Sequence, residues 1–155
     1  MILDETLEFA DAVSVAAAAG TALIGDVIDL ETARDMGNGQ PVYLVIQCDT
    51  SIITGGAAGT IKFQLASDAA AAIATDGSAT VHFDTGTFVT DGDDANSLDA
   101  GASIATVALP MEGNAYERYL GILATVATTT VTAGAINAFL TLDVSKWKAY
   151  ADAAN

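Results

Sequence analysis

Residues 119–142 read YLGILATVATTTVTAGAINAFLTL, a run with no charged side chain between Arg118 and Asp143. A membrane-crossing helix needs about 20 mostly apolar residues, so length alone permits a span. The internal rhythm argues against one. Leu120, Ile122, Ala124 and Val126 alternate with Tyr119, Gly121, Leu123 and Thr125, and Ile136, Ala138, Leu140, Leu142 and Val144 alternate with Ala135, Asn137, Phe139, Thr141 and Asp143. A period of two marks a strand with one buried face. The β-branched residues Thr128 to Thr132 lead to Ala133-Gly134, where a turn or a bulge fits because glycine accepts positive φ. The reading is two long paired strands with their even-numbered residues on one core, in a register that a one-residue slip would destroy.

Working outward, Val42, Leu44, Ile46 and Cys48 continue the inward pattern, in a segment apolar enough on both faces to be a central strand. Ile61, Phe63 and Leu65 alternate with Thr60, Lys62 and Gln64 as a half-exposed strand, and Leu23–Leu30, Val81–Phe83 and Ile104–Leu109 supply others. Gly37-Asn38-Gly39 before Pro41 is a turn, 51–59 with Gly55, Gly56 and Gly59 is expected as a mobile loop, and the Ala-rich stretch 67–76 suits a short helix. Short strands between Gly- and Asp-rich turns predict an all-β fold, a jelly-roll-like antiparallel β-sandwich of about eight strands, with a closed barrel as the structural alternative. In this reading residues 1–20 form an N-terminal arm, 21–145 the sandwich domain and 146–155 a C-terminal tail. One helical turn and a short edge strand suit the arm equally.

The chain carries 20 acidic against 5 basic residues, a formal charge of −15. Nucleic-acid affinity comes largely from Lys and Arg neutralising phosphates, so no direct nucleic-acid contact is expected, and no membrane association. The early acids of 1–11 do not resemble a secretory signal, and one cysteine gives no disulfide, which points to synthesis in a reducing cytoplasm. Cys48 is read as a buried thiol. Its pairing with the single histidine, His82, as nucleophile and base is the weaker alternative. The loop Asp91-Gly92-Asp93-Asp94 invites calcium but fails the helix-loop-helix pattern: Asn96 stands at the sixth place and Ala102 at the twelfth. No enzyme, cofactor or metal site is expected.

Lys146-Trp147-Lys148 and Tyr150 place the only tryptophan and two of the five bases beyond the last strand. An aromatic flanked by positive charge suits an interface anchor. Leu7 and Phe9 of the arm join them as candidate interface residues.

Several segments, in order, resemble the capsid cement (decoration) proteins of short-tailed double-stranded DNA bacteriophages. They are Ile28-Asp29-Leu30, Ala33-Arg34-Asp35-Met36-Gly37, Gly39-Gln40-Pro41-Val42-Tyr43-Leu44-Val45-Ile46, Arg118-Tyr119-Leu120 and Leu140-Thr141-Leu142-Asp143-Val144. The resemblance implies a jelly-roll-like homo-oligomer, a homodimer or homotrimer, on the outer surface of the phage head. Its partner there would be the major capsid protein, and the family carries no catalytic residue to transfer. The alternative from another class is a carbohydrate-binding module of a phage fibre or tail, with Tyr43, Tyr116, Tyr119 and Trp147 as candidate stacking platforms.

Overall fold

The alternating segments become strands in a computed structural model of the chain, which describes residues 4–34, 36, 39–91, 98–111 and 113–144. A 3₁₀ turn at Glu5–Leu7 leads into β1 (Glu8–Ser14), followed by β2 (Gly20–Asp29), β3 (Tyr43–Thr54), β4 (Gly59–Asp68) and β5 (Thr80–Asp84). The short β6 (Phe88–Thr90) precedes β7 (Ser103–Ala108), β8 (Tyr119–Ala127) and β9 (Val131–Thr141). One sheet has the order β1-β9-β3-β7; the other has β2-β8-β4-β5, with β6 also on β4. Every pairing is antiparallel. The chain passes from sheet to sheet at nearly every connection, and this strand order is that of a jelly roll. Among the described residues no helix is long and apolar enough to cross a membrane.

Parity decides what lies between the sheets. Even-numbered Leu120, Ile122, Ala124 and Val126 of β8 and Leu44, Ile46 and Cys48 of β3 meet odd-numbered Ile61, Phe63 and Leu65 of β4 in one core. Each of these is buried. A fully buried Ile or Leu contributes about 1.5–3 kcal/mol relative to an exposed one, so this layer dominates the stability.

The expected pairing of β8 with β9 is corrected. They lie in opposite sheets: β8 pairs with β2 and β4, and β9 with β1 and β3. The chain turns at 128–130, with Thr128 at φ 73°, before Gly134 is reached. An inward face stays inward whichever strand is its neighbour, so periodicity could not separate the two arrangements. Gly134, at φ 139°, sits inside β9 where a Cβ would meet the Ile52 backbone, beside register shifts between Thr50 and Thr54. It is a bulge, the other of the two conformations its neighbours allowed.

The inward series of β9 ends at Leu140. Leu142, expected in the core, is 54% exposed because the strand stops at Thr141 and no ladder fixes its direction. Phe139, on the opposite parity, is buried beside its pairing partner Val45, so this part of β9 is covered on both faces.

The arm holds both forms that its residues suit, a 3₁₀ turn at Glu5–Leu7 and then an edge strand. Residues 8–14 are an edge strand of the sandwich, hydrogen-bonded to β9, and Phe9 is 1% exposed. Residues 51–54 belong to β3, leaving only 55–58 as a turn. The Ala-rich stretch forms no helix. Asp68 accepts N–H bonds from Ala70 and Ala74 and folds the segment back so that Ile73 reaches the outer face of β8. Such side-chain acceptors compete directly with a helix for backbone donors.

Gly25 shows how the open side of the roll is closed. At φ 65° it lies where a Cβ would collide with the Phe9 carbonyl, which brings β2 against β1. Gly25→Val therefore lowers the urea midpoint sharply. Ile122→Ala is expected to cost about 2–5 kcal/mol by the same measurement, while Val89→Ala, at a position 59% exposed, changes it by no more than about 0.5 kcal/mol.

Candidate functional surfaces

One polar cluster joins three segments. Ser67, at the end of β4 and fully buried, accepts the Glu117 backbone N–H at 3.0 Å and lies 2.7 Å from His82 Nε2 on β5. The Ser67 hydroxyl and Nε2 share one hydrogen bond, whose donor follows the tautomer of the imidazole. The ring of His82 stacks on Tyr116 at 3.9 Å between centroids, and the buried Tyr116 donates its hydroxyl to the Pro110 carbonyl at 2.9 Å. Thr80 donates to Glu117 Oε1 at 2.9 Å.

Serine, histidine and glutamate thus stand together, but the geometry is that of a clasp. Ser67 Oγ has no exposure to a substrate, and Glu117 Oε1 bonds Thr80. The cluster ties the segment before β8 to the β4–β5 edge. Sequence reasoning weighed His82 only as a base for Cys48 and missed the cluster. A signal was available in Ser67, a polar residue that extends the odd-numbered inward series of β4 and so requires a partner.

Cys48 occupies another environment. Its thiol donates to the Leu98 carbonyl at 2.9 Å and to the Thr50 carbonyl at 3.2 Å, and burial pushes its pKa up to about 11. A nucleophilic cysteine needs the reverse, a stabilised thiolate. His82 is bound to Ser67 and Tyr116 in the other sheet, so the sequence-level pairing of Cys48 with His82 is not formed.

Two concavities open on the surface of the described residues. One, of about 460 Å³, is lined by Glu5, Glu8, Asp11 and Asp26 with Phe9, Ala10 and Val13. Desolvation, then the neighbouring charges of Asp11 and Glu5, raise the Glu8 pKa above its ordinary value. The other, of about 330 Å³, lies on the outer face of β2, β4 and β8 and is lined by Thr21, Thr125, Lys62, Gln64 and Thr75 with small apolar residues. There Lys62 and Gln64 both donate to Asp84 Oδ2, at 2.9 and 2.7 Å. At the β2–β8 edge, Arg118 grips Asp29 through two bonds of 2.8 Å, and these hydrogen bonds hold the Asp29 carboxyl down to about 2. Among the described residues no group of three or more His, Cys, Asp or Glu side chains is placed to hold a metal ion.

Of the candidate contact residues, Leu7 is half-buried against the core, and Phe9 is corrected from interface to interior. Burying the Phe9 ring between the sheets withdraws it from any partner. Lys146, Trp147, Lys148 and Tyr150 lie outside the described residues, as do Gly92 to Asn96 of the acidic loop. Tyr116 is interior and so is removed from the stacking platforms, whereas Tyr43 and Tyr119 are half-buried, the latter under the Arg118 guanidinium at 4.9 Å.

What these observations define is an acidic jelly-roll sandwich whose one serine–histidine contact rests on a buried serine and a half-buried histidine. A family model described as Bbp16 matches residues 9–140, nearly the whole sandwich, and the chain belongs to that family, whose name is phage-associated. No curated protein matches the chain.

Two solution measurements test these environments. Burial lowers the His82 pKa from its ordinary 6.5, opposed by the Glu117 charge. The unfolded chain therefore binds the proton first as pH falls, so stability is present above about 6.5 and is lost below it. Thermal melts at pH 7.5 and 5.5 should show a drop that shrinks in His82→Gln. For Cys48, a disulfide reagent should react slowly with the native protein and fully in denaturant; rapid native labelling would contradict the buried, neutral thiol.

Proposed function

We propose that this protein is a capsid cement protein, binding the outer surface of a phage head and stabilising the lattice of its major capsid protein. The observation that carries the proposal is the match of a phage-associated family model across a jelly-roll sandwich. A charge of −15 supports a position on the outside of the shell, away from the packaged DNA.

The physical mechanism is linkage. Internal DNA presses capsomers apart, and a protein that bridges them must have its own contacts broken before they separate. A partner that binds only the assembled state stabilises that state by mass action. Several modest contacts on one homo-oligomer act together through effective concentration. Leu7 and the tail residues Lys146, Trp147, Lys148 and Tyr150 are assigned to contacts with the shell or a sister subunit.

The carbohydrate-binding reading draws on the concavity beside Thr21 and Thr125, whose hydroxyls lie 2.9 Å apart. That cleft has no aromatic platform in its lining, which places the reading second. Heating cement-free expanded heads with and without added protein separates the two. The cement reading expects rupture at a higher temperature when the protein is present; an unchanged rupture temperature, together with retention on a glycan array, would replace it.

A further inference from the structure

Val45 and Phe139 are paired neighbours on the outer face of the four-stranded sheet, yet they are only 0% and 2% exposed. Leu44, Ile46 and Cys48 of β3 fill the space between the sheets, so Val45 and its partner point the other way. Among the described residues, neither joins that core or the small cluster around Ile73 outside the facing sheet. Neighbours within a sheet shield the sides of a phenylalanine ring and leave its outward surface in water, so an apolar pair this dry requires a cover.

The exposure of the surrounding residues outlines that cover. The row through Val45 and Phe139 ends at Thr106 on β7, which is exposed, and at half-buried Glu8 on β1. In the next row Thr141 is 5% exposed and Tyr43 half-buried, while Ala108 on β7 is exposed. In the other direction Gln47 and Asn137 are again half-buried. The dry area is a strip over β3 and β9, and it lies toward the end where the chain leaves β9.

We propose that residues 145–155 of the same chain supply the cover, as a strap folded back across β9 and β3 with Trp147 laid on Val45 and Phe139. In a single chain only that chain's own residues can take this pair out of water. The strap begins close by, just past Val144 and three residues beyond Thr141. Extended, it reaches about 35 Å, against a spacing of about 4.8 Å between strands. Its chemistry fits as well. A tryptophan offers a large apolar surface, and Lys146 and Lys148 bring positive charge to a rim that holds Glu5, Glu8 and Asp11. The three residues before Asp4 are the other neighbouring segment; they join at the β1 edge and carry no basic side chain. With Trp147 inward, an extended strap turns Lys146, Lys148 and Tyr150 outward, which under the cement reading narrows the tail's contacts to those three. The strap itself does not depend on that reading, because its test needs no phage head.

Trp147 is the only tryptophan, so the fluorescence of the full chain reports on it directly. Emission at short wavelength and weak quenching by acrylamide are expected in the native protein, both moving to solvent values in urea. Solvent-like emission with free quenching in the native protein overturns the proposal. Nuclear Overhauser contacts from the Trp147 indole to the Val45 methyls and the Phe139 ring are expected in isotope-labelled protein. In an equal mixture of labelled and unlabelled chains, isotope-filtered spectra should show these contacts within one chain. Contacts found only between chains would give the cover to a sister subunit's tail. Contacts to Val45 from Ile2 or Leu3, with none from Trp147, would give it to the N-terminal residues. Either result overturns the strap.

Discussion

The structure depends on the removal of two alternating apolar faces from water. Each sheet offers a row of side chains with a period of two, and neither row is stable in solvent. Packing one against the other, about 10 Å apart, solves both problems at once. Every other feature is fitted around that layer. The chain alternates between sheets because each crossing adds inward residues to both sides of the same core. The bulge at Gly134 keeps β9 in step past Ile52, and Gly25 lets β2 close on the Phe9 carbonyl.

Polar groups near this layer are handled in two different ways. Ser67, His82, Tyr116 and Glu117 satisfy one another where the 110–118 segment crosses the end of β4. A buried hydroxyl or imidazole without a partner would be destabilising by an amount comparable to a lost hydrogen bond. Acids elsewhere stay in water or in exposed pairs such as Asp29 with Arg118, where solvent screening leaves little net gain. The consequence is a neutral interior inside a strongly negative exterior. Such a surface suits protein contacts chosen for local freedom from charge better than it suits phosphate.

Fold does not by itself assign function, since sandwiches of this shape serve many roles. Here the family match supplies the phage context, and the surface chemistry determines which contacts are plausible within it. The sealed serine and the thiol held neutral show two chemically suggestive side chains engaged in structural bonds.

Much of this was legible in the residues alone. Alternation identified β3, β4, β8 and β9 and named Leu44, Ile46, Phe63, Ile122, Ile136 and Leu140 as interior, because which face a strand residue occupies is a local property. Charge and composition were equally local. What the sequence could not disclose was adjacency: that β8 and β9 face each other across the core, that Phe9 belongs inside it, or that Ser67 meets His82 and Glu117. Those depend on which strands the chain brings together, and the same alternating pattern is compatible with several orders. Leu142 marks the same boundary, since its parity pointed inward but the ladder that enforces parity had already ended at Thr141. Sequence determined which side chains seek the interior; only the tertiary structure decided which neighbours they find there, because hydrogen-bonded pairing is settled between segments far apart in the chain.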